Sequence, residues 1–218
     1  MTGLREKQKE DRRRKMLRVA ERLFKERGYA TTTIEEVANR AGVSPATVFN
    51  YYKTKGDLLL ALIADENTAI IQHLQELTRR GRKSTTDVVC WYLEAITSES
   101  LARTDREAWR QVLASMVTNA NSDFGKKYLE LRQQLVGGVS RLVANLQDEG
   151  GLPEQCRPEI LGNIFYQVHH AHFLRLVADE QMTMEIYRAA LRAEIAHLVE
   201  LICGLGRPRK SSLRTTSR

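Results

Sequence analysis

The chain has 218 residues, 42% of them hydrophobic and 28% charged, with only 4 prolines and 13 glycines. Such a composition belongs to a folded globular protein and excludes collagen-like, low-complexity and disulfide-scaffold classes. The net charge of +7 is unevenly placed: residues 1–55 hold 14 Lys and Arg against 7 Asp and Glu, residues 56–205 hold 15 against 20, and residues 206–218 hold 5 against none. A basic end joined to an acidic body predicts a polyanion-binding segment attached to something else.

No apolar run approaches the roughly 18–20 residues of a membrane span. The opening stretch "MTGLREKQKEDRRRK" lacks the apolar core of a signal peptide. Cys90, Cys156 and Cys203 are far apart and form no CxxC pair, which predicts reduced thiols and a cytoplasmic location.

In chain order, helical periodicity dominates and no strand signal appears. A first helix is expected from about Glu6 to Arg27, with Met16, Leu17, Ala20, Leu23 and Phe24 on one stripe and Gly28 ending it. Thr33 then caps a second, short helix, and Glu36 completes a capping box. Ile34, Val37, Ala38 and Ala41 point inward, and Gly42 closes the helix. Ser44 caps a third helix with Pro45 in its first turn, where a missing N–H costs nothing. Thr54 caps a long fourth helix with Leu58, Leu59, Leu62, Ile63, Ile70, Leu74 and Leu77 on its apolar side.

After the break "RRGRKSTTD", helices are expected over roughly Asp87–Ala102, Arg106–Asn121 and Asp123–Glu149. The loop "EGGLPEQCRP" follows, then helices over about Pro158–Glu180 and Thr183–Cys203. The apolar faces of these last two carry Ile160, Ile164, Val168, Leu174 and Val177, then Ile186, Ala190, Ile195, Leu198, Val199 and Ile202. The fold class is all-α.

A short helix, an Ala-Gly-Val turn and another short helix have the spacing of a helix-turn-helix. Val43, Val48 and Tyr52 tuck the second helix of the pair against the first. Pro45, Ala46, Thr47, Phe49, Asn50 and Lys53 are left on the outer face. Small residues near the helix start permit close approach to a major groove, and an asparagine can address adenine with two hydrogen bonds. The hydroxyls of Thr33, Ser44, Thr47 and Tyr51 and the ammonium of Lys55 suit phosphate oxygens, which position without specifying.

The stretch "TTTIEEVANRAGVSPATVFNYYKTKGDLL", preceded by "AERLFKERGYA", resembles the N-terminal domain of the tetracycline-repressor (TetR) family over roughly residues 12–65. The resemblance implies about nine helices in all: a three-helix DNA-binding domain at residues 1–55 with a basic arm, and a larger effector-binding and dimerisation domain at 56–205. The tail 206–218 is expected to be disordered. By the same resemblance Thr33, Thr47, Tyr51 and Lys55 touch DNA backbone, and Pro45, Ala46 and Asn50 reach bases. Phe49 stands where the family usually carries tyrosine. Gly56 stands where an acidic residue is usual, and is expected to loosen the joint between reader and body.

The implied function is a DNA-binding transcriptional regulator, a repressor that binds a palindromic operator as a homodimer and is released by a small-molecule effector. The dimer would form through the last two helices in a four-helix bundle, with Ile164, Val168, Ile195, Leu198, Val199 and Ile202 at the interface. A second reading is an architectural or division-linked factor with many sites, a protein partner and no small effector.

Other signals are weaker. Arg12, Arg13 and Arg14 in the arm are candidates for phosphate, and "GRPRK" has the core of an AT-hook. In "HHAH", His169 and His172 share a helix face while His170 points elsewhere, and two ligands do not make a zinc site. Trp91, Tyr92, Trp109, Met116, Phe124, Tyr128, Phe165, Tyr166, His169 and Phe173 are the candidates to line an effector cavity. No P-loop, dinucleotide fingerprint, nucleophile elbow or HExxH motif is present, so neither enzyme activity nor a cofactor is expected.

Overall fold

The computed structural model describes residues 2–64, 84–118 and 122–205. Among them are nine helices and no strand, as the sequence pattern predicts. The head comprises α1 (Thr2–Arg27), α2 (Ile34–Ala41), α3 (Pro45–Tyr51) and the first turns of α4, described over residues 55–64. The body comprises α5 (Thr85–Arg103), α6 (Arg106–Thr118), α7 (Asp123–Asp148), α8 (Pro158–Ala178) and α9 (Met184–Leu205). Ile70, Leu74, Leu77, Asn121, most of the "RRGRKSTTD" break and the whole "GRPRK" tail lie outside the described residues.

The head is held by local chemistry. Thr33 Oγ1 accepts from the Glu36 backbone N–H at 3.2 Å, and the Glu36 carboxylate accepts from the Thr33 N–H at 3.2 Å. This capping box satisfies donors that a helix start leaves without intrahelical partners. Ser44 caps α3 through the Thr47 N–H, and Thr54 caps α4 in a reciprocal pair with Asp57. Gly42 takes φ 66° at the turn between α2 and α3, a left-handed conformation that costs a β-carbon-bearing residue about 1–2 kcal/mol. The one clear departure is at the start: α1 begins at Thr2 rather than Glu6. The arm is rich in Arg, Lys and Glu, has no proline, and pairs Glu10 with Arg13 and Arg14 one turn on.

Two apolar clusters make the core. One joins α1–α4 to Trp109 and Val112 of α6, Phe124, Tyr128 and Leu131 of α7, and Phe173 and Val177 of α8. The head's core therefore continues past residue 55 into the body. The other is built from α5, α7, α8 and α9 around Tyr92, Leu142, Phe165, Tyr187 and Ile195. Where α7 crosses α8, a β-carbon at Gly162 would lie 2.6 Å from Ser140 Cα and 2.7 Å from its backbone N; only glycine allows that approach.

Gly56 lies where α4 meets α7: a β-carbon there would stand 3.6 Å from the Phe124 ring, an ordinary van der Waals contact. The dimer-face expectation also needs correction. Ile195 is fully buried and Val199 is 8% exposed, both packed inside their own body. Val168, Leu198 and Ile202 are half-buried at the edge of the same cluster. Ile164 of the expected set is outward-facing, together with Ile160 and Leu174 of α8 and Ile186 and Leu201 of α9.

Candidate nucleic-acid interface and body cavity

On α3 the side chains divide cleanly. Val48 is fully buried against α1 and α2, while Pro45, Ala46, Phe49 and Asn50 face solvent, Phe49 with 45% of its surface exposed. Tyr52 ends the helix with its ring in the core. Thr47 is half-buried, its hydroxyl 2.9 Å from that of Ser44. Tyr51 donates its hydroxyl to the Lys9 carbonyl of α1 at 3.3 Å, which ties the reader helix to the arm.

Two lysines sit differently from expectation. Lys55 directs its ammonium to the carbonyls of Tyr29, Ala30 and Thr32 at 2.8, 3.1 and 3.0 Å, over the face of the Tyr29 ring. An ammonium has three N–H donors, so all are used in bracing the turn between α1 and α2. Burial pulls its pKa down. Lys53 is exposed, but its ammonium lies 2.8 Å from the Asp123 carboxylate at the start of α7. The pair raises the lysine's pKa and lowers the aspartate's. This ion pair spans head and body, at the rim of an open cleft of about 480 Å³ that Tyr29, Gln111, Ser115 and Phe124 also line.

A second space lies inside the body, where α5, α6, α7 and α8 meet Ile63 of α4. Of the residues expected there, Trp109, Tyr128, Tyr166, His169 and Phe173 come together. Trp91, Tyr92 and Phe165 belong instead to the cluster around α9, and Met116 and Phe124 to the head-side cluster. The sequence reading missed Arg132 and His170, together with the aliphatic walls Ile63, Ile96, Leu131 and Leu135 and the hydroxyl-bearing Ser100. The space is narrow, about 30 Å³, enough for one or two waters. Sites for drug-sized ligands usually offer about 300–1,000 Å³, so an occupant of that size must move the walls apart.

Its polar groups gather around one ring. The Arg132 guanidinium stands 5.7 Å from the centre of Tyr166, the His170 ring stacks on Tyr166 at 5.8 Å, and His169 packs at 5.6 Å. Trp109 meets Phe173 edge to face at 5.0 Å. Burial first, then the nearby His170 and His172, pushes the His169 pKa down to about 3. His170 is lowered by burial and then by Arg132, and burial raises the Tyr166 phenol. Both imidazoles are therefore neutral at neutral pH.

Thr97 of α5 links two buried groups, its hydroxyl 2.9 Å from His169 Nε2 and 2.8 Å from the Tyr187 hydroxyl of α9. If Tyr187 donates to Thr97 and Thr97 to Nε2, each hydroxyl proton has an acceptor. The imidazole proton then resides on Nδ1, a buried atom with no hydrogen-bond partner among the described residues. His172 faces α9, where its Nε2 lies 3.1 Å from the Glu194 carboxylate, so the two histidines of "HHAH" address different partners. No group of three or more metal-ligating side chains occurs among the described residues.

Residues 16–62 match the model of the bacterial regulatory proteins of the tetR family. Residues 16–62 thus form a DNA-binding segment of the tetR-family type. The match covers α1 from Met16, the helix-turn-helix and most of the described part of α4. The chain's relatives include the HTH-type transcriptional regulator HbdR of Aromatoleum, 42% identical over 23% of this chain and 22% of that protein. The fatty acid metabolism regulator protein of Bacillus subtilis is 29% identical over 32% of this chain and 36% of its own length. These matches thus span about a quarter to a third of the relatives' lengths. Thermus thermophilus FadR, a TetR-family repressor solved with lauroyl-CoA, shares the fold over 86% of this chain and 93% of its own, with TM-score 0.64 and 20% identity. These relatives are regulators of transcription rather than enzymes, and the helix-turn-helix is a DNA-binding one.

Proposed function

We propose that the chain is a dimeric repressor whose α3 helices read a palindromic operator and whose body cavity takes a small effector that releases DNA. The observation that carries the reading is the outer face of α3: Pro45, Ala46, Phe49 and Asn50 are exposed together, on a helix whose other side is locked by Val48. Asn50 is the base-reading amide, Phe49 offers apolar contact to a thymine methyl, and Thr33, Ser44, Thr47 and Tyr51 position the backbone. Lys55 serves as a brace for the α1–α2 turn, and Lys53 reaches phosphate on leaving Asp123. The outward residues Ile160, Ile164, Leu174, Ile186 and Leu201 make the dimer face, with Val168, Leu198 and Ile202 at its margin. Two heads so joined bind one operator when their readers lie about 34–36 Å apart. The acidic body and reduced thiols suit a cytoplasmic protein.

Selection of genomic fragments by the purified protein, followed by sequencing, tests the reading. A shared palindrome in few fragments is the expected result, and Asn50→Ala should cost about 1–3 kcal/mol of discrimination at particular bases. Many unrelated sites, or equal loss on every sequence, would overturn it in favour of an architectural role. Ile164→Glu with Leu201→Glu should sediment as monomers.

A further inference from the structure

The geometry points to an effector that is a small carboxylate with an apolar ring, its carboxylate held by Arg132 and His169 and its ring set against Trp109 and Phe173. This inference rests on the body cavity being the effector site. The cleft has two unlike ends. At one, Arg132, His169 and His170 surround Tyr166; at the other, Trp109 and Phe173 meet edge to face beside Ile63 and Ile96.

The polar end asks for an anion. Arg132 is half-buried, and its described contact is with the Tyr166 face rather than with any carboxylate. Among the described residues no Asp or Glu lines the cleft, so a cation would enter without a counter-charge and an anion would find one. A guanidinium stacked on an aromatic face still presents its edge N–H groups, whose fork matches a carboxylate. His169, 97% buried, has its Nδ1 unpartnered. With Tyr187 donating to Thr97 and Thr97 to Nε2, the imidazole proton sits on Nδ1, which is then a donor without an acceptor among the described residues. Leaving a buried donor unpaired is costly, and a ligand oxygen that pairs it recovers that cost on binding.

The apolar end fits a ring. Flat aromatic walls stack on or edge against flat solutes, and a ring carboxylate, like any occupant larger than one or two waters, enters as the walls move apart. Tyr187 of α9 and Thr97 of α5 lie directly behind His169. Occupancy is therefore felt by three helices through a single hydrogen-bonded row.

The test uses the full chain with Trp91→Phe, since Trp91 lies outside the cleft and Trp109 then becomes the one indole reporting on it. Benzoate, phenylacetate and cyclohexanecarboxylate are titrated beside their methyl esters and the matching amines, with laurate and lauroyl-CoA as acyl probes. At least one ring carboxylate should shift Trp109 emission and raise Tm, binding about tenfold or more tighter than its ester, with no response to the amine. Arg132→Met, which keeps length and apolar contact, should remove that preference while leaving the ester's affinity unchanged.

Esters binding as well as acids, or an acid preference that survives Arg132→Met, would overturn the proposal. So would a panel in which only the acyl probes bind, although the cavity would then remain the effector site. Operator binding by the ligand-free Trp91→Phe protein is measured alongside; its absence would count against the DNA-binding reading and not against the ligand class.

Discussion

Head and body solve the same problem, fixing helices at defined angles, by opposite means. The head uses short-range devices: Thr33 with Glu36, Ser44 with Thr47, Thr54 with Asp57, and a left-handed glycine at each of two helix ends. Each lies within a few residues of its partner, so much of the reader's geometry is specified locally, with Tyr51 on the Lys9 carbonyl and Lys55 on the α1–α2 turn as its longer ties. The body relies on contacts between distant positions: Gly162 against Ser140, Thr97 with His169 and Tyr187, and Arg106 donating to the carbonyls of Asp179 and Met182. Such contacts form or fail together. A domain that must present one fixed face gains from the first arrangement, and one that must answer a ligand gains from the second.

The sharpest test of that contrast is Gly162→Ala. Its β-carbon would collide with backbone rather than with a movable side chain, so a loss of about 3 kcal/mol is expected by urea unfolding. Hydrogen exchange should show body amides exposed before those of α2 and α3; equal exposure would erase the distinction.

Acidification comes next. His169 is held neutral in the folded chain, with a pKa near 3, while its unfolded value is near 6.5. Its stabilising contribution is complete above the unfolded pKa and is lost as pH falls below it, because the unfolded chain then binds the extra proton. The slope is at most about 1.4 kcal/mol per pH unit for one group. Between pH 6.5 and 5 that amounts to roughly 2 kcal/mol, visible as a falling Tm and flattened in His169→Gln.

In the head, Gly42→Ala should cost about 1–2 kcal/mol, from its positive φ alone, since the one atom near the new β-carbon is the mobile end of Lys15. Circular dichroism melts would check it, and a loss as large as that at Gly162 would make the two regions alike. The smallest effect belongs to Asp123→Asn. An exposed ion pair contributes little to stability, so Tm should hardly change. Operator affinity should rise modestly as Lys53 is freed, most clearly at low salt; unchanged affinity would mean that the pair does not compete with DNA.

The same contrast explains what could be read without coordinates. Caps and turns in the head are written in adjacent letters, and Thr33, Gly42, Ser44 and Pro45 carry their meaning in place. Arg132 carries none locally: it looks like part of a solvated helix face until the close crossing of α7 and α8 brings it to Tyr166, whereas His170 meets Tyr166 one turn away on α8 itself. Ile195 and Val199 fail in the converse way. The α9 sequence is apolar on two sides, and periodicity identifies the stripes without saying which one meets its own body. Lys55 was legible as a cation near the reader, but not as a brace, because its carbonyl partners lie more than twenty residues away.

The bond from Tyr51 to the Lys9 carbonyl has a consequence of scale. It couples the last turn of the reader to a rod that continues from Lys9 back to Thr2, about 10 Å at the rise of an α-helix. Arg5, Lys7 and Lys9 are carried on this rod as exposed charges, and they arrive at a duplex at a set offset from α3 rather than searching for it as a loose tether would. The length of DNA protected by each head is then a property of a rigid ruler, and shortening α1 should trim the footprint from one edge only.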